Sequence, residues 1–190
     1  MSDSLNNDQK LQYANQLLQE NKINEALGAL KNIIDSHPDY GPAFNHLGWI
    51  YATYLEGYDK AQYYYRLALQ NSPEYSPVYI NYAALLNSIG KYDEAEKILS
   101  QADKLESINR PQLFYEKGIL LELKEQYIEA IKMYHSAIKT SVIMAEINRY
   151  RDAIQRCQIK IALFEMPNTA SGSLPDGHER GFSSGGNPGR

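Results

Sequence analysis

The chain has 190 residues, 43% hydrophobic and 22% charged, enough to build one ordinary folded domain. Its 19 basic and 23 acidic side chains give a net charge of −4, which indicates neither a general nucleic-acid binder nor a protein drawn to anionic membranes. The single cysteine, Cys157, rules out an internal disulfide and suits a reducing compartment.

The first ten residues, MSDSLNNDQK, are polar and do not read as a signal peptide. No stretch approaches the ~20 apolar residues needed to cross a bilayer. A cytoplasmic protein is expected, with secretion by a route lacking a cleavable signal left open.

Apolar spacing predicts nine helices and no sheet, over 8–20, 23–36, 42–54, 58–71, 76–89, 92–105, 111–124, 127–140 and 144–165. The first eight fall into four similar pairs. Ala26, Ala61, Ala95 and Ala130 open the second helix of each pair, at intervals of 35, 34 and 35 residues. Three residues earlier stand Ile23, Tyr58, Tyr92 and Tyr127; four residues later stand Leu30, Tyr65, Leu99 and Tyr134. The first helix of each pair carries a small residue, Ala14, Gly48, Ala83 or Gly118, with Leu17, Tyr51, Leu86 or Leu121 three positions on.

The pattern has a mechanical reason. Two antiparallel helices approach closely only where one presents Gly or Ala, and larger residues three and four positions away fill the neighbouring grooves. Gly57 and Gly90 suit the tight turns between paired helices, and Pro38 and Pro73 mark the ends of second helices. Repetition at this period means one hairpin stacked again and again.

Taken together, Phe44, Leu47, Gly48, Tyr51, Ala61, Tyr65, Ala68 and Pro73 make the sequence resemble the tetratricopeptide repeat family. The resemblance covers 7–144 as four repeats: 7–40, 41–75, 76–110 and 111–144. It implies an all-α, right-handed α-solenoid of four helical hairpins. The second repeat departs by one inserted residue near Leu55–Glu56, and the third and fourth have Ser107 and Val142 in the proline slot. Residues 1–6 are expected to be a flexible N-terminus.

A stack of hairpins leaves its last apolar face uncovered. Ile143, Ile147, Tyr150, Ile154, Cys157, Ile161 and Phe164 recur at steps of four and three, forming one stripe of a helix over 145–166 that would cap the fourth repeat. Its length also suits a homodimer seam through 143–165, leaving Ile161 and Phe164 for a second subunit. Residues 167–190 hold six of the twelve glycines, four serines and three prolines, and read as a disordered tail.

Little in the chain points to chemistry. His37, His46, His135 and His178 are scattered without metal-ligand spacing, and Cys157 sits on the apolar stripe rather than beside a histidine or a helix N-terminus. No Gly-rich phosphate loop occurs. No enzyme, metal or cofactor is expected.

The resemblance implies that the first helices line a concave groove for a peptide segment or helix of a partner protein. In this register the groove-facing candidates are Asn15, Asn45, His46, Trp49, Asn81 and Tyr115, with Leu11, Gln12, Gln19, Thr53, Ile80, Ala84, Ser88, Glu116 and Ile119 around them. One subgroup of the family grips chaperone C-termini with two lysines, an arginine and two asparagines. Read from repeat one, Asn15 fits a slot while Leu11, His46, Pro77 and Asn81 do not; read one repeat later, Asn81 fits while Asn45, Trp49, Gln112 and Glu116 do not. A chaperone-tail receptor is disfavoured. The expected function is a non-catalytic adaptor or scaffold; the alternative is a self-assembling structural module joined through the terminal helix.

Overall fold

The computed structural model describes residues 6–165, all of them helix or short connection. Residues 1–5 of the expected flexible N-terminus, and the expected disordered tail over 167–190, lie outside the described residues. In chain order the helices are α1 (Asn7–Gln19), α2 (Ile23–Ser36), α3 (Gly41–Thr53), α4 (Tyr58–Asn71), α5 (Pro77–Ser88), α6 (Tyr92–Ala102), α7 (Arg110–Leu123), α8 (Tyr127–Thr140) and α9 (Met144–Glu165).

The intrahairpin turns show why the helices pair as they do. Three of them share one Schellman geometry. Lys22, Lys91 and Gln126 each donate a backbone N–H to the carbonyl five residues back, on Leu17, Leu86 and Leu121 at 2.8 Å. The residue before each donor adopts positive φ: Asn21 at 59°, Gly90 at 75° and Glu125 at 61°. In the second hairpin Gly57 N instead reaches six residues back, to Tyr51 O at 2.9 Å, which absorbs the extra residue near Leu55–Glu56. Here Glu56, at φ 49°, is the left-handed residue, and Gly57 stands at −87° as the N-cap of α4. The role expected of Gly57 is therefore filled by Glu56.

α6 ends three residues earlier than the apolar pattern predicts. Leu105, read as helix, lies in the following connection yet still packs against the core, and Asn109 begins α7 by accepting a hydrogen bond from Gln112 N at 3.1 Å.

Packing runs along the stack in successive apolar clusters rather than around one centre. Ala14, Leu17, Leu30, Ile33, Leu47 and Ile50 are buried together at the N-terminal end; Tyr65, Val78, Leu86, Leu99 and Leu113 form the middle; Ala130, Tyr134, Ala153, Ile154 and Cys157 form the last cluster. The final cluster is built by α9 against α8. The middle of the α9 stripe is buried, while its two ends, Ile143 and Phe164, are exposed.

Polar contacts tie the later units together. Lys91 Nζ donates to Gln62 Oε1 at 2.7 Å between the second and third hairpins, and Lys124 Nζ reaches Glu96 Oε2 at 2.6 Å between the third and fourth. Glu122, buried on α7, gathers Arg156 Nε and Nη2, each at 2.7 Å, Lys160 Nζ at 2.9 Å and the Tyr134 hydroxyl at 2.8 Å. Burial would push this carboxyl up, but those hydrogen bonds outweigh it and hold its pKa down at about 2.

The stack is pinched on one side. α3, α5 and α7 touch one another in succession, whereas the second helices of successive hairpins make no comparable contact. Closer approach on the first-helix side makes that side the inner wall.

Candidate inner-wall binding site

Asn45 and Asn81 stand one unit apart on α3 and α5, and the structure joins them: Asn81 Nδ2 donates to Asn45 Oδ1 at 3.1 Å. Asn45 is buried and Asn81 half-buried. His46 is half-buried, with Nδ1 2.9 Å from the Pro42 carbonyl; burial lowers its pKa and that carbonyl offsets part of the effect. The Trp49 ring meets Tyr54 edge-on at 5.4 Å between centroids and is half-buried. Asn15 is half-buried on α1 and takes no side-chain hydrogen bond among the described residues.

Asn81 also lines a hollow of about 540 Å³ that crosses from α5 to α9. Its walls include Pro77 and Ile80 on α5, Pro111 and Gln112 on α7, and Ile143 and Glu146 at the start of α9. Ser141, in the connection before α9, donates its hydroxyl to Glu146 Oε2 at 2.7 Å and accepts from Ile143 N at 3.2 Å, which shapes that end.

One helical turn further along α7 and α9 lie Tyr115 and Arg149. The Arg149 guanidinium lies 4.3 Å from the centroid of the Tyr115 ring, which also packs on Tyr134 and Tyr150. Beside it is Glu116, whose Oε2 is shut off from solvent and unpartnered. Burial pushes this carboxyl up to about 7, with Arg149 and the Asn87 amide pulling it only part of the way back. Asn87, at the end of α5, is 4% exposed, and its amide lies against the Glu116 carboxyl without a well-formed hydrogen bond.

The sequence candidates are thus joined only in part. Asn45 pairs with Asn81, and Tyr115 lies under Arg149. Arg149 and Asn87 were not among the candidates. Arg149 reads as one of several polar residues on the solvated faces of α9, and Asn87 as a polar residue near a helix end. Their roles arise from contacts between distant elements, which spacing does not encode.

Among the described residues no group of His, Cys, Asp and Glu is placed to hold a metal, and no helix is long and apolar enough to cross a membrane. The Cys157 thiol is buried, and burial pushes its pKa up to about 11, which makes it a poor nucleophile.

The tetratricopeptide repeat family model matches residues 56–106, the end of the second unit and most of the third. Solved structures agree with it over most of the length. A thermophilic repeat protein of Thermus thermophilus superposes with a TM-score of 0.69 at 20% identity, over 80% of this chain and 84% of that one. Residues 56–106 are thus tetratricopeptide repeat in sequence, and the chain has the fold of tetratricopeptide repeat proteins. PilF of Pseudomonas aeruginosa gives a TM-score of 0.67 at 18% identity, over 86% of this chain and 78% of that one. YrrB, described as a tetratricopeptide repeat protein with an unusual peptide-binding site, gives 0.61 at 19% identity, over 85% of this chain and 79% of that one. At such identities the likeness is one of fold. No curated protein matches this chain in sequence.

Proposed function

We propose that this protein is a non-catalytic adaptor whose four repeats hold a peptide segment or helix of a partner protein along the inner wall. The observation that carries the reading is the Asn81–Asn45 hydrogen bond. It links candidates on successive first helices into one polar strip that runs into the hollow beside α7 and α9. Asn81, half-buried and held by the buried Asn45, offers its remaining amide groups to a peptide backbone, and Trp49 and Tyr115 supply ring faces for apolar groups. A peptide-binding site on YrrB, which shares this fold, supports the same use here. A cytoplasmic setting belongs to the proposal and rests on the lone, buried cysteine.

A short groove floored by amides should bind with an affinity on the order of micromolar. The test is titration of a partner recovered by pull-down against the Trp49→Ala, Asn45→Ala double variant, with folding checked by circular dichroism. Loss of binding in a folded variant is the expected result; unchanged affinity moves the site to the convex face or to α9.

A second reading, self-assembly through α9, is favoured by its exposed apolar end. Ile159 is 53%, Leu163 65% and Phe164 72% exposed, and Phe164 stacks on Tyr127 with centroids 6.0 Å apart. Light scattering on the full chain at tens of micromolar separates the two: a monomer removes the assembly reading.

A further inference from the structure

We propose that Arg149 and Tyr115 form an anion subsite at the α9 end of the inner wall, which receives an acidic side chain of the bound peptide. The inference rests on the inner-wall reading and names the chemistry of the ligand at one place along it.

Three observations converge. First, Arg149 lies with its guanidinium over the Tyr115 ring at 4.3 Å. A guanidinium held over a ring still has N–H donors to offer, and two parallel ones suit a carboxylate. Second, the residue is exposed and makes no salt bridge among the described residues, although a carboxylate lies next to it. That carboxylate, Glu116, is turned inward with Oε2 closed off from solvent. Third, the Asn87 amide, 4% exposed, lies against Glu116 and helps hold that carboxyl inward, so Arg149 is left facing solvent.

The surrounding charges sharpen the choice of ligand. From α5 Glu116 faces Asn87, and from α9 it faces Arg149. The acids are engaged elsewhere: Asp103, just after α6, by Lys117 at 2.9 Å, Glu122 on α7 by Arg156 and Lys160, and Glu146, one turn before Arg149 on α9 and also facing Tyr150, by the Ser141 hydroxyl at 2.7 Å. A lysine on the peptide would have to pass Arg149 to reach an inaccessible Glu116 oxygen. A carboxylate meets the guanidinium edge directly. Burial keeps the Glu116 charge partly suppressed near neutrality, because its carboxyl titrates at about 7. Below that midpoint Glu116 is neutral and leaves Arg149 free for the ligand. Above it the Glu116 charge competes, so anion affinity falls as pH rises.

The experiment selects random peptides on phage against the immobilised full chain at about pH 6, below the Glu116 midpoint of about 7. The recovered peptides are then titrated calorimetrically. We expect Asp or Glu to recur at one peptide position. Replacing it by the amide, or making Arg149→Gln in the protein, should each weaken binding about tenfold, and the two losses should not add. Arg149→Lys should restore only part, since it keeps the charge but not the flat contact with Tyr115. Wild-type affinity should drop between about pH 6 and about pH 8, and Glu116→Gln should flatten that dependence. Recovery of peptides without a recurring acid, or equal affinity for wild type and a folded Arg149→Gln, overturns the inference. If Trp49→Ala abolishes binding while Arg149→Gln does not, the inner-wall reading stands and this one falls. The converse leaves the anion subsite and removes the Asn45–Trp49 stretch. Recovery of no peptide at all overturns both.

Discussion

Gly48 on α3 lies against the ring of Tyr65 on α4, so closely that a Cβ at position 48 would fall 2.7 Å from Tyr65 Cδ1. Gly118 and Tyr134 repeat the arrangement in the fourth unit. In the other two units the small position is Ala14 or Ala83, and the facing slot holds Leu30 or Leu99. Glycine goes with tyrosine and alanine with leucine, so the two positions share one volume. Tyr65 is 1% exposed and has no room to retreat. Gly48→Ala should therefore cost ~1–3 kcal/mol by overpacking. Combined with Tyr65→Leu it should cost less than the sum of the two single changes, by about 1 kcal/mol. Urea unfolding of the four-member cycle measures this, and strict additivity would show that the positions do not share space.

Glu122 anchors α9 through Arg156 and Lys160. Its folded pKa of about 2 lies below the ordinary 4.5, so its contribution is fully present above about pH 4.5 and is lost as pH falls toward 2. Glu122→Gln should lower stability at neutral pH by roughly 1–3 kcal/mol, less than for a fully buried pair because Arg156 and Lys160 stay partly in water. The gap between wild type and variant should narrow in acid. Equal gaps at neutral and acidic pH would show that the carboxylate charge is not what stabilises.

The sign is opposite at Glu116. Its carboxyl is raised to about 7, so the folded state favours the proton, and stability falls as pH rises from about 4.5 to about 7. Glu116→Gln should melt higher than wild type above neutrality and close to it in mild acid. Thermal melts across that range decide the matter; a variant that is less stable at alkaline pH contradicts it.

The turns offer a backbone test. Glu125 stands at φ 61° where the third hairpin uses Gly90 at 75°. A non-glycine residue in this region costs about 1 kcal/mol, so Glu125→Gly should stabilise by roughly 0.5–1 kcal/mol, and Gly90→Ala should destabilise by a similar amount. Nothing lies within 4 Å of a Cβ built at Gly90, so the second change isolates conformation from packing. Matching shifts of the same sign in both variants would remove the explanation.

Helix positions were legible in the sequence because the determinants are local and repeated. Ile23, Tyr58, Tyr92 and Tyr127 each begin a second helix as the spacing predicts. α6 was misread because Leu105 is apolar for tertiary reasons, packing on the core from outside the helix. Gly57 suits the tight turn by residue type, yet the inserted residue shifts the left-handed position to Glu56. Asn45, Asn81 and Tyr115 fall on α3, α5 and α7 as the repeat places them, and the first two meet. Arg149 and Asn87 were not legible, since one belongs to the helix outside the repeat pattern and the other acquires its environment only when α7 packs beside α5.

The ion cluster at Glu122 also gives the stack a direction of failure. Among the described residues a single exposed side-chain hydrogen bond, from the Tyr40 hydroxyl to Asp8 Oδ1 at 2.6 Å, joins residues 6–39 to the rest, whereas each later junction carries several, ending with Arg156 and Lys160 on Glu122. In a linear array each unit leans only on its neighbours, so the loosest junction opens first. Unravelling starts at α1 and α2 and proceeds toward α9. A processive unfolding machine that grips the N-terminus would peel hairpins away singly, while one that pulls from the C-terminal side must first break the strongest polar junction in the molecule. The protein is thus mechanically asymmetric, and its lifetime in a cell would depend on which end is seized.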